Sequence, residues 1–374
     1  MINARWQAVH KVLLVRLDNL GDVLLTTPAL RAVKNALPAC SLTLLTSPVG
    51  AQVGSLNPDI DQVIIYQAPW VDPWQKLPQE STRELAMIER LKAEQFDGAI
   101  IFTSFRQSPL PAAYLCYLAD IPLRLAASID GSGSLLTTRH KHPDWLMHEV
   151  ERGLDLVSAL GITSAEQELV LRVPATARRE VEAFLALQGI SEYHPLIVVH
   201  PGCSMPARTY PWEMYAEVIG LLVKQLEAFV LITGATEERE LVEKVQARVD
   251  PSASVSTLTV AGELAFPTFC GLIQRADLVI TNNTGPAHIA AALKTPIVEL
   301  FALTNPPAQW KPWRVLQRQL YHEVPCRLCY SRVCPYEHEC LRLVSPAQVV
   351  TAASEILART YGSEKTEPLE GVVR

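Results

Sequence analysis

Short runs of β-branched and aliphatic residues alternate with helix-period segments along almost the whole chain. Residues 11–17, Lys-Val-Leu-Leu-Val-Arg-Leu, read as a first strand. A Gly-Asp turn at 21–22 then leads into an apolar-periodic helix ending near Leu37. Positions 42–46, 62–66 and 98–102 read as further strands, with a helix over 82–95 before the last of these. Apolar residues at 150, 154, 157 and 160 have a helical period and predict a helix over 148–160.

The pattern then restarts. Residues 196–202 again form a strand running into a glycine turn, and 229–233, 257–260, 278–281 and 297–301 complete a second set. Alternating strands and helices imply parallel strands joined by crossover helices. The expected class is therefore α/β, with two Rossmann-like doubly wound domains facing a central cleft. The expected bounds are 1–172 and 196–344, joined by a junction at 173–195 that holds a helix around 177–187. A helix over 345–361 is expected to pack back across both lobes, and 362–374 to be a disordered tail.

In such sheets ligands bind beyond the carboxyl ends of the strands, so the loops there are where chemistry is sought. The first loop ends in Asn19-Leu20-Gly21-Asp22. Asp22 is either a helix cap, stabilised by the helix dipole, or a base facing the cleft. No G-x-G-x-x-G follows this strand, so a nicotinamide dinucleotide site lacks its fingerprint. The second loop, 200–213, sets one cation, Arg208, among Gly202, prolines and small residues. Arginine holds phosphate bidentately and does not deprotonate. The third, Asn282-Asn283-Thr284-Gly285-Pro286, follows an apolar run and opens an alanine-rich helix. Thr284 can cap that helix, Gly285 leaves room, and Pro286 forfeits an N–H that has no helical partner. A helix start of this kind is an anion site. His288 one turn further on is read first as a structural histidine.

With 374 residues, the chain is long for one ordinary core, which agrees with two domains. An apolar fraction of 49% with 19% charged residues describes a globular protein with sizeable cores. The net charge of −6 argues against a nucleic-acid partner, which needs clustered Lys and Arg. No stretch approaches the roughly 20 apolar residues that span a bilayer, and no apolar signal segment precedes the first strand. The expected compartment is the cytosol, where the eight cysteines are reduced thiols or metal ligands.

Taken together, "VRLDNLGDVLLTTPALRAVKNALP", "HPGCSMPARTYPWEMYAEV" and "ADLVITNNTGPAHIAAALKTPIVELFALTNP" resemble glycosyltransferase family 9, the ADP-heptose:lipopolysaccharide heptosyltransferases. The resemblance runs from Lys11 to about Pro346 and implies the GT-B architecture. It places the family's catalytic base on Asp22 and its phosphate-binding lysine on Arg208. The N-D-[ST]-G-P motif of the family reads with Asn283 in place of Asp. It further implies an inverting transfer without a cofactor or catalytic metal. Asp22 takes the acceptor's proton, and Arg208 with the helix start stabilises the leaving ADP. Donor-binding candidates are Gly202, Arg208, Glu237, Glu238, Asn283, Thr284, Gly285, Pro286 and His288. For Glu237 and Glu238, which the resemblance sets near the donor ribose, a solvated helix start is the competing reading.

The implied partners are an ADP-sugar donor and a lipid-anchored saccharide acceptor, with peripheral contact at the cytoplasmic face of the inner membrane. Arg106 is the acceptor-side candidate, and Arg139, Lys141, Trp70 and Trp74 join it as candidate membrane contacts. The string Asp59-Ile60-Asp61 is read as turn chemistry. Cys326, Cys329, Cys334 and Cys340 have a spacing compatible with zinc or an iron–sulfur cluster, and the reading of packed or free thiols is preferred. Two other functions stay open: a GT-B nucleotide-sugar 2-epimerase, and a non-catalytic nucleotide-binding scaffold.

Overall fold

The structure is a computed structural model that describes residues 2–72, 77–78, 80–190 and 194–363. Trp74 and residues 364–374 of the expected 362–374 tail lie outside the described residues, while 362 and 363 belong to the last helix. The chain divides into two compact units, Met1–Arg172 and Val173–Arg374.

The first unit is built on six parallel strands: β1 (Lys11–Arg16), β2 (Ser41–Thr46), β3 (Gln62–Ile65), β4 (Gly98–Ile101), β5 (Leu123–Ala127) and β6 (Thr138–His140). Their spatial order is β3-β2-β1-β4-β5-β6. The direction of winding reverses between β1 and β4, which pair in register from Val12↔Gly98 to Val15↔Ile101. Strands β1 and β4 are almost wholly buried, as expected for a parallel sheet covered on both faces.

The helix Leu20–Ala36 connects β1 to β2 and packs against the helix Glu149–Ser158. It starts at Leu20, so Gly21 belongs to its first turn rather than to a turn before it, as the sequence pattern had suggested. Pro28 lies inside this helix and cannot donate to the carbonyl four residues back. The Thr27 hydroxyl supplies the missing bond, donating to Leu24 O at 2.6 Å, and accepts in turn from Val170 N–H at 2.9 Å. Two carboxylates of the Asp-x-Asp string face the same helix. Asp59 pairs with Arg31 Nε at 2.6 Å, and Asp61 pairs with Lys34 Nζ at 2.9 Å.

The second unit repeats the plan with β7 (Leu196–His200), β8 (Phe229–Ile232), β9 (Thr257–Thr259), β10 (Leu278–Asn282), β11 (Ile297–Leu300) and β12 (Gln317–Leu320). Here the order is β12-β11-β10-β7-β8-β9, with the reversal between β7 and β10. Those two strands pair from Leu278↔Ile197 to Thr281↔His200. The helix Ala175–Leu187, within the segment read from sequence as a junction, packs on the helix Phe266–Arg275. The helix Pro346–Ser363 packs on the helix Trp212–Leu226 and on β10–β12, and its Val349, Ala353 and Ile356 enter the core of this unit.

Candidate active site

In the first unit the switch point between β1 and β4 holds a buried polar network. Arg16, the last residue of β1, is 2% exposed and sends its guanidinium toward three oxygens. Its Nη2 donates to Ser104 Oγ at 2.7 Å and to Asp22 Oδ1 at 3.2 Å, while Nε lies 3.2 Å from Asp18 Oδ2. Burial works against the Arg16 charge, but Asp18, Asp22 and Glu149 more than offset it, so its pKa is raised. The Asp18 carboxyl is pushed upward by its burial, despite Arg16 and a hydrogen bond from Gln107.

Asp22 sits at the third position of its helix, where its Oδ2 accepts from the Asn19 N–H at 3.2 Å. Its Oδ1 accepts from Ser104 Oγ at 3.1 Å as well as from Arg16. A carboxylate has about four lone-pair sites. These three bonds therefore orient Asp22 rigidly and leave capacity for one incoming hydroxyl. The capping role and the capacity to act as a base are both present in one side chain. Ser104 and Gln107 come from the loop after β4, and the Ser104 N–H donates to Gln107 Oε1 at 2.8 Å. In that loop the sequence reading points only to Arg106, between these two residues. The signal available was its position after a central strand.

In the second unit the loops after β7 and β10 are joined by Asn282, which is fully buried. Its Nδ2 donates to Pro201 O at 2.8 Å and to Gly202 O at 3.2 Å, and its Oδ1 accepts from Tyr210 N–H at 2.9 Å. The sequence marks Asn282 only as part of the motif, and the geometry makes it the residue that holds the glycine loop in place. Asn283, also buried, accepts from Ala302 N–H at 3.1 Å. That bond needs an acceptor and no charge, which an amide oxygen supplies.

Thr284 occupies the N-cap position of the helix Gly285–Leu293 but makes no side-chain cap bond, contrary to the sequence expectation. Its hydroxyl is engaged instead with the Cys203 thiol. Thr284 N–H donates to Asn282 O, and Ala287 N–H to Thr284 O. Pro286 has no N–H, so among the described residues these bonds leave Gly285 N–H and the helix dipole for an anion. His288 is buried one turn further on. Arg208 closes a short helical turn at 206–208, and its Nε donates to Thr304 Oγ1 at 3.0 Å.

The two acidic candidates separate. Glu237 is exposed. Glu238 turns inward, 3.3 Å from His200 Nε2, and its Oε2 accepts from Ala235 N–H at 2.8 Å. Burial pulls the Glu238 pKa up, but the bonds to His200 and Ala235 and the His200 charge bring it below the usual range. The Glu238 carboxylate occupies the space where a side chain at position 202 would stand, so any residue larger than Gly202 has to displace that carboxylate.

The outlying candidates are dispersed. Arg106 is exposed, with a left-handed backbone at φ 72°. Arg139 is bound to the Ser128 and Ile129 carbonyls, and Trp70 packs edge-on against Tyr66 at 5.8 Å. Lys141 pairs with Asp144 at 3.4 Å at the surface. The four clustered cysteines are free thiols. Cys340 is pushed up by burial and by Cys334, Cys326 and Cys329, so the four share one neighbourhood. Among the described residues, no three of them converge to metal-ligand spacing.

The family model for glycosyltransferase family 9 (heptosyltransferase) matches residues 84–339. Lipopolysaccharide heptosyltransferase 3 of Escherichia coli (strain K12) is 26% identical over 342 residues, covering 90% of this chain and 95% of that protein. A solved family 9 glycosyl transferase from Veillonella parvula superposes with a TM-score of 0.77 at 20% identity, covering 96% of this chain and 99% of the other. The E. coli ADP-heptose lipopolysaccharide heptosyltransferase II superposes at 0.75 with 19% identity, covering 94% and 99%. The fold is GT-B, and the chain is a glycosyltransferase. It belongs to glycosyltransferase family 9.

Proposed function

We propose that this enzyme moves a heptose, with inversion, from an ADP-heptose donor to a saccharide of the lipopolysaccharide core. The carrying observation is that Asp22 and the loops at 200–208 and 282–286 stand at the switch points of their respective sheets. Asp22 takes the proton of the acceptor hydroxyl as its oxygen attacks the anomeric carbon, and the bond from that carbon to the diphosphate breaks. The electron pair leaves with ADP. Arg208 and the helix start at Gly285 hold the diphosphate and gain strength as its negative charge develops. Glu238, facing Gly202 from the loop after β8, is the residue assigned to the donor ribose. Exposed Glu237 supports the solvated reading for that residue.

The test is incubation with labelled ADP-heptose, with and without lipopolysaccharide acceptor. Turnover that requires acceptor supports transfer. Turnover without it marks an isomerase, and binding without turnover a scaffold.

Contact with a membrane surface is proposed as peripheral. No described helix is long and apolar enough to cross a membrane. Trp145 is 69% exposed, with Phe105 and Leu146 also at the surface; Phe105 adjoins Arg106, and Trp145 and Leu146 follow Lys141 in sequence. Flotation with anionic liposomes is expected to carry the wild type, and to lose a Trp145→Ala/Leu146→Ala variant.

A further inference from the structure

Outside the network around Asp22, one side-chain cluster in the first unit has no part in the proposed transfer. His140 ends β6, His142 follows two residues later, and Asp155 projects from the helix Glu149–Ser158. In extended chain, residues two apart face the same side, so the His-x-His spacing presents both rings together. His140 Nε2 and His142 Nδ1 each lie 2.6 Å from the same oxygen, Asp155 Oδ2. The rings meet edge to face at 5.2 Å. One ligand atom from each residue falls within 4.8 Å of the other two, the one such His/Cys/Asp/Glu group among the described residues.

We propose that His140, His142 and Asp155 form a binding site for a zinc-class divalent cation, with a fourth position left open. Two imidazoles and one carboxylate are a ligand set that suits zinc, at about 2.0–2.2 Å from each. Tetrahedral ligands at that distance stand about 3.3 Å apart. Each ring must therefore retreat by roughly 0.7 Å from its present contact with Asp155. The three side chains are 18%, 13% and 21% exposed, so solvent reaches them and small rotations are open to them.

The two ring nitrogens that face Asp155 Oδ2 are the ones that would ligate a cation, and each ring keeps a second nitrogen to carry its proton. The opposing charge is Arg152, on the same helix, which also acts on His142. Its guanidinium Nε lies 3.3 Å from Glu149 Oε1, a carboxylate that also acts on Arg16. A cation here would tie the end of β6 to the helix that packs against Leu20–Ala36. Both helices border the pocket lined by Arg16, Glu149, Arg152 and His142.

The site is tested with full-length protein stripped by chelator and titrated with Co2+ as the spectroscopic probe. The clustered cysteines are the competing ligands, and thiolate ligation gives a charge-transfer absorption that His and Asp ligation lacks. The expected result is about one equivalent of Co2+ with d–d bands and no thiolate charge transfer. Its affinity should fall at least tenfold in both His142→Ala and Asp155→Asn. The Asn variant retains an acceptor for both rings, so it separates loss of the anionic ligand from loss of fold. Binding unchanged in both variants, binding through thiolates alone, or no binding by the wild type overturns the assignment. None of these outcomes bears on whether the enzyme transfers heptose, which the acceptor-dependent assay reads separately.

Discussion

Ser104 Oγ donates to Asp22 Oδ1 at 3.1 Å, joining the loops after β1 and β4 across 82 residues of sequence. Arg16 Nη2 donates to both of these side chains, so one guanidinium fixes the hydroxyl and the carboxylate together. The Arg16 charge is divided between Asp22 and Asp18. A carboxylate held in this way keeps one orientation, and geometry is the first thing a general base needs.

Asp22→Asn is expected to lower kcat by roughly 10²–10⁴-fold, the range for loss of a general base, with little change in ADP affinity. Asn caps helices about as well as Asp, so a cap-only role predicts near-normal turnover. Steady-state kinetics and calorimetry with ADP on the same preparation decide between them.

Ser104→Ala removes one of the three bonds to the Asp22 carboxylate. Turnover is expected to fall about tenfold, with the donor KM unchanged, because about 1.4 kcal/mol of orientation is lost. Ser104→Thr, which restores the hydroxyl, should recover part of the rate. Equal loss in the Ala and Thr variants would reduce Ser104 to packing.

Arg208→Ala is expected to weaken ADP binding by about 1.5–3 kcal/mol, the usual worth of a charge-assisted hydrogen bond. Arg208→Lys keeps the charge but loses the planar donor set that reaches Thr304 Oγ1, so an intermediate loss is expected. Titration calorimetry with ADP reads both, and an Ala variant with wild-type affinity removes Arg208 from the donor site.

Much of this arrangement was legible in the sequence, and the gaps have physical causes. The buried strands β1, β4, β7 and β10 read as continuous apolar runs because both faces of a parallel sheet are covered. Strands β5, β6 and β12 did not. β5 carries Arg124, whose guanidinium leaves the strand to bind the Ile121, Ser134 and Leu135 carbonyls. β6 has three residues, and β12, Gln-Arg-Gln-Leu, is a half-exposed edge strand. At the site, Asp22, Arg208 and the 282–286 helix start were visible because each loop follows a strong strand. Ser104, Gln107 and Asn282 were not singled out, since their roles arise from parallel pairing between strands distant in sequence.

Glu299 on β11 gives the second unit a pH dependence. Burial pushes its carboxyl up to about 8, against a hydrogen bond from Gln319 and the charge of Arg208. Between its ordinary value and about 8, the folded protein holds a proton that the unfolded chain has released. Stability therefore falls as pH rises across that window and levels off above it. Glu299→Gln should melt close to wild type near pH 5 and several degrees higher near pH 9. Calorimetric scans at the two pH values check it, and an equal shift at both would mean that Glu299 is charged throughout.

Asn282 and Asn283 are adjacent amides, and they should respond oppositely to the same change. In Asn283→Asp the carboxylate still accepts from Ala302 N–H, so a stability change within about 1 kcal/mol and retained turnover are expected. In Asn282→Asp the group that donated to Pro201 O and Gly202 O at 2.8 and 3.2 Å becomes an acceptor facing two acceptors. The cost should reach about 3–5 kcal/mol, the range for an uncompensated buried charge, and ADP affinity should fall as the 201–208 loop loosens. Asn282→Ala serves as the neutral control: it leaves three backbone partners unbonded and should be less damaging than Asp. Thermal melts and ADP titrations of the three variants give the comparison, and equal tolerance at both positions would show that the loop is held by something other than Asn282.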